Sequence, residues 1–186
     1  MSDRLGLAFF TFAAAVSALA VWEHPSLLAG LAAAHNALMA VIYAHRVPAH
    51  SYDRIGLWLG ILAALLPFAG SASAAVSLPA LLAGVLGYGL IFWSLLALGR
   101  RFGIAPADRG LAVHGPYRWL RHPMYLGELI LRAALVCAAP LTWSGAGLLL
   151  LLAGLQIARA LREERHIAGY PAYASRVRYR LLPGVW

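Results

Sequence analysis

An all-α, polytopic transmembrane bundle of about six helices is the fold this sequence predicts. Three observations carry it. Of the 186 residues, 62% are hydrophobic and only 12% charged, with a mean hydropathy of +0.73, which leaves too little polar surface for a soluble domain. Apolar segments recur at about 5–22, 26–44, 55–69, 76–98, 124–139 and 141–160; those nearest ~20 residues span a bilayer comfortably and the shorter ones marginally. The formal net charge of +8 rests on arginine alone, since there is no lysine, and the arginines alternate from loop to loop.

The first helix follows Met1-Ser2-Asp3-Arg4 without a small-residue cleavage site, so it is expected to be a retained span. Glu23-His24-Pro25 turns the chain tightly into the second helix. There His35 and Asn36 are polar groups of the kind that hydrogen-bond a neighbouring helix, and no role is assigned to them. The connector from His45 to Arg54 carries Arg46 and Arg54, whereas Gly70-Ser71-Ala72-Ser73 carries no charge. Gly84, Gly87 and Gly89 thin the fourth helix, which suits either close helix packing or a bulky ligand against bare backbone.

Gly99–His122 is long for a connector between membrane helices and adds Arg100, Arg101, Arg109, Arg118 and Arg121. The turn at Pro140 adds none, and further arginines follow Leu155. By the positive-inside rule both termini and the loops after the second and fourth helices face the cytoplasm, as expected of a bacterial inner-membrane protein. Orientation therefore accounts for most of the basic charge; membrane lipid is an expected partner and nucleic acid is not. The lone Cys137 excludes an internal disulfide and is expected to be a small buried hydrophobe.

Chemistry concentrates between His114 and Glu128, where histidine, arginine, tyrosine and proline crowd a short run between apolar segments. Pro123 falls where a fifth helix would begin, the position at which a missing N–H costs nothing. Arg118, Arg121 and His122 offer cationic or hydrogen-bonding groups, and Tyr117 and Tyr125 offer phenols and flat apolar faces. A bound anion or zwitterion suits them. An interfacial belt collects the same residue types, but His-Pro at a helix start between two tyrosines is harder to explain so. Deeper in that helix, Arg132 costs ~3 kcal/mol near the bilayer centre unless offset. Glu128, four residues earlier, is its expected partner on a face turned into the bundle.

A second cluster, Arg159 to His166, lies at the end of the last long helix. Glu163 and Glu164 oppose the helix macrodipole there and should have partners. Arg159 is expected to reach Glu163, while Glu164, about 100° further round, is free to face the bundle. Gly169 is a plausible helix terminator with Pro171 after it, and the tail Tyr170–Trp186 either lies at the interface or folds back over the long loop.

At these residues the sequence resembles the membrane-embedded methyltransferase superfamily that includes isoprenylcysteine carboxyl methyltransferases and phospholipid N-methyltransferases. The likeness runs through Gly-Pro-Tyr-Arg-x-x-Arg-His-Pro-x-Tyr-x-Gly from Gly115 to Gly127, the paired Glu163 and Glu164, and upstream Gly87-Tyr88-Gly89 and Leu98-Gly99-Arg100. It continues into Tyr170-Pro171-Ala172-Tyr173 and Arg176-Val177, although the segment between Glu164 and Tyr170 is shorter than in that superfamily. The match divides the chain into N-terminal helices at 1–75, with no clear resemblance, and a methyltransferase-like core and tail at 76–186.

The resemblance implies S-adenosylmethionine as methyl donor. It implies a cofactor pocket drawn from Gly87, Gly89, Tyr117, Arg118, Arg121, His122, Pro123, Tyr125, Glu163, Glu164, Tyr173 and Arg176, and no metal. The acceptor expected from it is lipophilic, a prenylcysteine-like carboxylate or a lipid head group, reaching the sulfonium near Tyr125 and Glu128 with Arg132 holding the inner wall. Tyr125, Glu128 and Arg132 are thus the candidate catalytic residues. A carboxylate acceptor needs no base; for an amine or hydroxyl, His122 or Glu128 could assist proton removal. Two other readings compete: a reductase of the sterol or steroid type using NADPH, favoured by Gly127-Glu128 but opposed by Met124 and the paired Glu, and a non-enzymatic membrane subunit whose arginine-rich loops bind anionic lipid or a partner.

Overall fold

The computed structural model describes residues 3–49, 51, 53–66, 76–138 and 142–186. Helices α1 (Asp3–Glu23), α2 (Leu27–His45), α3 (Arg54–Leu65), α4 (Leu78–Leu98), α5 (Pro123–Cys137) and α6 (Trp143–His166) form the bundle, and a short α7 (Tyr170–Ala174) lies in the tail. Within the described residues, each of the six expected segments holds a helix. Four helices, α1, α2, α4 and α6, are long and apolar enough to cross a membrane, and the protein is an integral membrane protein. Helix α3 has 12 residues and α5 has 15, about 18 and 22 Å of rise, short of the ~30 Å hydrocarbon core. The uncharged connector at Gly70–Ser73 and the turn at Pro140 lie outside the described residues.

Local chemistry starts α2, α3, α5 and α6. Ser26 accepts a hydrogen bond from the Ala29 N–H at 3.2 Å, Asp53 accepts from Ile55 N–H at 3.1 Å, and Thr142 accepts from Gly145 N–H at 3.1 Å, each satisfying an orphan donor of the first turn. Pro123 opens α5 directly after His122, as its fixed φ requires.

Helix α1 pairs with α2, α4 with α5, and α3 with α6, while α5 also meets α6 and α2 meets α4. The α4–α5 seam is set by two glycines. A Cβ on Gly87 would stand 2.9 Å from the Gly127 carbonyl oxygen, and one on Gly127 would stand 2.8 Å from that of Gly87, so the two backbones meet where any side chain would hold them apart. Helix packing thus explains Gly87. Gly84 faces Leu28 and Leu131, and Gly89 faces open space on the outer side. The expected ligand contact at Gly87 and Gly89 is corrected accordingly.

The connector from Gly99 to His122 threads back into the bundle. Ile104 donates its N–H to the Tyr43 hydroxyl at 2.9 Å, Val47 N–H donates to Arg100 O at 2.9 Å, and Asp53 N–H donates to Pro106 O at 3.0 Å. Phe102 and Ile104 are buried in the main core with Phe10, Met39, Ile91 and Leu95. A chelate of Arg162 on Asp53, with Nη2 2.7 Å from Oδ1, joins the end of α6 to the start of α3. Consequently the ends of α2, α4 and α6 and the starts of α3 and α5 all share one pole of the bundle. Trp22 and Trp143, 85% and 94% exposed, mark the opposite pole, as interfacial aromatics do. Cys137 is exposed rather than buried, because it sits at the outer end of α5 where the helix has left its partners.

Candidate functional site

The tail closes over the start of α5. Arg121 N–H donates to Tyr179 O and His122 N–H to Arg180 O, both at 2.9 Å, through a parallel bridge between Leu120 and Tyr179. Of the two dispositions open to the tail, it folds back over the loop. Tyr173 donates its hydroxyl to the Tyr117 carbonyl at 2.8 Å, and Arg121 donates from Nε to Val177 O at 2.7 Å and from Nη2 to Ala174 O at 2.9 Å. These bonds hold α7 against the loop without using the cleft beneath it.

His122 lies at the centre, stacked on Tyr125 with ring centroids 5.4 Å apart and on Tyr170 at 6.2 Å. Its Nδ1 is 3.6 Å from Glu163 Oε2 and its Nε2 is 3.4 Å from Glu164 Oε1. Burial opposes a charge on the ring, but the two carboxylates outweigh burial and raise its pKa above the ordinary imidazole value. Glu163 also accepts the Tyr125 hydroxyl hydrogen. Glu164 is chelated by Arg180, with Nε at 2.8 Å and Nη2 at 2.9 Å, and reached by Arg121 Nη1 at 3.4 Å.

Burial lifts the Tyr117 phenol well above its ordinary pKa, with Glu163 adding to the shift. Burial likewise pushes Tyr173 up to about 12. Both therefore stay protonated donors throughout the neutral range.

Arg159 is 5% exposed and sits over the Tyr125 ring at 4.6 Å. The in-helix pair expected between Arg159 and Glu163 is not formed: Arg159 donates to Gln156 Oε1 at 3.0 Å and to the Ile104 carbonyl at 3.4 Å, because Glu163 is already engaged by α5. The expected Glu128–Arg132 pair is also absent among the described residues. Gln156 donates to Glu128, which turns that carboxylate toward α6 and leaves Arg132 Nε buried without a hydrogen-bond partner.

Two cavities result. The first, with an enclosed volume of about 90 Å3, is lined by Tyr117, Arg121, His122, Tyr125, Glu163 and Tyr173 among the expected site residues. The second, about 250 Å3, lies between the helices and is lined by Glu128 and Arg132. Phe102, Met124 and Arg159 face both. Glu164 stands behind the first cavity on His122, and Pro123 is fully buried at the helix start. Four expected contacts fall elsewhere: Arg118 is exposed and stacks over Trp119 at 5.1 Å, Arg176 is exposed with Nε donating to Ala172 O at 3.3 Å, and Gly87 and Gly89 line neither cavity.

Gln156 and Arg180 complete the site without having been singled out from sequence, together with Arg159 and Tyr170, which were expected only as an in-helix partner of Glu163 and as part of the tail match. Gln156 and Arg159 carried a signal, since two polar residues three apart interrupt an otherwise apolar helix and must share a face. Arg180 carried none, because its reach to Glu164 depends on the path of the tail.

A family model described as phospholipid methyltransferase matches residues 75–173, just over half of the chain. No curated protein and no solved structure matches it.

Proposed function

We propose that this chain, which belongs to the phospholipid methyltransferase family and is accordingly a membrane methyltransferase, uses S-adenosylmethionine to methylate a lipophilic acceptor that reaches the site from within the bilayer. The observation that carries this reading is the junction of the two cavities. A polar cleft at the arginine-rich pole and a chamber among the helices meet at Phe102, Met124 and Arg159, which line both. A soluble donor and a lipid-anchored acceptor need that arrangement, each approaching from its own phase.

The residues of the cleft suit the donor. Arg159 Nε is buried without a partner there and is a donor for a carboxylate, while His122 holds Glu163 and Glu164 in place. Glu163, its side chain 20% exposed, suits an ammonium, while the rings of Tyr117 and Tyr170 offer faces to a cation or a flat base. The enclosed volume is below the ~300 Å3 of a small-molecule site, so the open mouth under the tail must hold the remainder. S-adenosylmethionine in such a site supplies an activated methyl group for in-line displacement. The chain's own residues position the reactants and exclude water. Glu128 stands nearest the chamber with Gln156 fixing its orientation, and it is the group to take a proton from an amine or hydroxyl acceptor; a carboxylate acceptor needs none.

The test has two arms. Detergent-solubilised protein should bind S-adenosylhomocysteine, with Glu163→Gln and His122→Ala each weakening it at least ~10-fold, on the scale of one or two lost charge-assisted contacts. Membranes given cofactor labelled in its methyl group should yield label in the organic extract. Unchanged binding in both variants removes the cleft as cofactor site, and label confined to water-soluble products removes the lipophilic acceptor.

A further inference from the structure

Arg132, in the bundle interior, makes no hydrogen bond or ion pair among the described residues; its Nε is buried, and the residue is 9% exposed. It lies nine residues beyond Pro123 at the start of α5, roughly 13 Å along the axis from the pole that holds the cleft. A guanidinium held there without a counter-ion is costly, and such charges mark sites whose partner is brought in. The natural partner in sequence, Glu128, is turned away to Gln156. Arg159, the other guanidinium on the chamber, keeps a free Nε but is otherwise held by Gln156, Ile104 and the Tyr125 face, at the junction with the cleft.

Across the same chamber from α5 stands α2. His35 presents a buried Nε2 that also has no partner, its ring fixed edge-on against Tyr88 and Phe92 at 6.2 and 6.3 Å. The neighbouring Asn36 does have one, donating to Ser17 Oγ at 2.8 Å. Away from the junction, the fully buried side-chain atoms of the chamber without a hydrogen-bond partner among the described residues are Arg132 Nε and His35 Nε2. Helix α3, which packs along α6, adds the apolar Gly60, Ala63 and Ala64 to the chamber wall.

We infer that this chamber binds the anionic oxygen group of a lipid, carboxylate or phosphate, with Arg132 as its counter-ion and His35 as a hydrogen-bond donor. The inference rests on the proposed function in taking that lipid to be the methyl acceptor, and it adds what that acceptor must carry. Arg132 is one helical turn, about 6 Å, deeper than Glu128. A phosphate held there leaves a nucleophile a few bonds away at the level of Glu128, whereas a carboxylate acceptor would be drawn up from Arg132 to react. Either way Arg132 and His35 are specificity-determining residues.

The experiment uses the full chain in neutral detergent with palmitate, 1-oleoyl lysophosphatidate and oleyl alcohol as probes, and measures thermal stabilisation by each alongside S-adenosylhomocysteine affinity. One or both anionic lipids should bind on the order of ten- to a hundred-fold more tightly than the alcohol, as expected for a buried charge-assisted contact. Which of the two does so tells carboxylate from phosphate. Arg132→Gln should abolish that preference, Arg132→Lys should keep part of it, and His35→Phe should reduce it, all with S-adenosylhomocysteine affinity unchanged. Arg132→Met should also be more heat-stable than the parent without lipid, because it removes an unpaired buried charge. Equal binding of anionic and neutral lipid, or a preference that survives in Arg132→Gln, overturns the inference. Loss of S-adenosylhomocysteine binding by the parent protein would instead count against the proposed function, whatever the lipids do.

Discussion

Arg180 chelates Glu164 through Nε and Nη2 at 2.8 and 2.9 Å, and this pair ties the last residues of the chain to the end of α6. The same carboxylate touches His122 and Arg121, so one acid organises the tail, the loop and the start of α5 together. Arg180 binds it bidentately and the pair is partly buried, the geometry in which an ion pair contributes more than at an exposed surface.

Arg180→Ala should therefore loosen the tail without unfolding the bundle. Losing a bidentate, partly buried contact costs about 1–3 kcal/mol, confined to residues after Ile167. Limited proteolysis should show faster cutting in the tail while helix content by circular dichroism stays constant. Uniform loss of both would mean that the tail is integral to the bundle and not a strap across it.

His122 gives the stability a pH dependence. Its pKa is raised in the folded protein above 6.5 by Glu163 and Glu164, against the opposing effect of burial. A group raised on folding stabilises fully below its unfolded value, and that contribution is lost as pH rises through the folded value. Melting temperature should fall from about pH 6 upward through the folded pKa, and His122→Gln should lose that slope relative to the parent. A difference between the two proteins that grows with rising pH would reverse the sign and refute the charged-imidazole arrangement.

Glycines two apart on α4 should behave oppositely. Gly87→Ala puts a Cβ 2.9 Å from a backbone carbonyl and 2.9 Å from the Leu131 nitrogen, neither of which can move alone, so it should cost about 1–3 kcal/mol by overpacking. Gly89→Ala meets nothing within 4 Å and should be neutral or stabilising by up to about 1 kcal/mol, since it gains helix propensity. Thermal unfolding in detergent measures both. Equal effects would mean that the seam at Gly87 and Gly127 does not set the α4–α5 distance.

The contrast between those glycines shows what could be read in the chain beforehand. Helices are legible because lipid demands apolar runs of membrane length, and His122, Tyr125 and Glu163 are legible because polar side chains stand out in such runs and must find one another. Helix rotation is not legible. Residues 87 and 89 lie about 200° apart, and nothing in the sequence says which faces α5. Arg159 is four residues from Glu163 and Glu128 four from Arg132, so both spacings allow in-helix pairs. The bundle instead commits Glu163 to Tyr125 and His122 and Glu128 to Gln156, choices made by neighbouring helices. Motif matching fails similarly at Arg118, which occupies a matching position yet stacks on Trp119 at the surface.

Membrane orientation is the remaining expectation, and the fold sharpens its test. The loops carrying Arg46, Arg100, Arg101 and Arg121 all gather at the pole that holds the cleft, together with the end of α6, while the pole marked by Trp22 and Trp143 has no arginine among the described residues. By the positive-inside rule the cleft is expected on the cytoplasmic side, where a soluble cofactor resides. With Cys137 replaced by alanine to remove the exposed native thiol, single cysteine substitutions at His24 and His114 report the two poles; His114 is exposed and His24 lies in the exposed turn after α1. In intact cells an impermeant maleimide should label His24→Cys and spare His114→Cys until the membrane is opened. Labelling in the reverse order would put the cleft outside, away from any cytoplasmic methyl donor, and would count against both the orientation and the proposed cofactor.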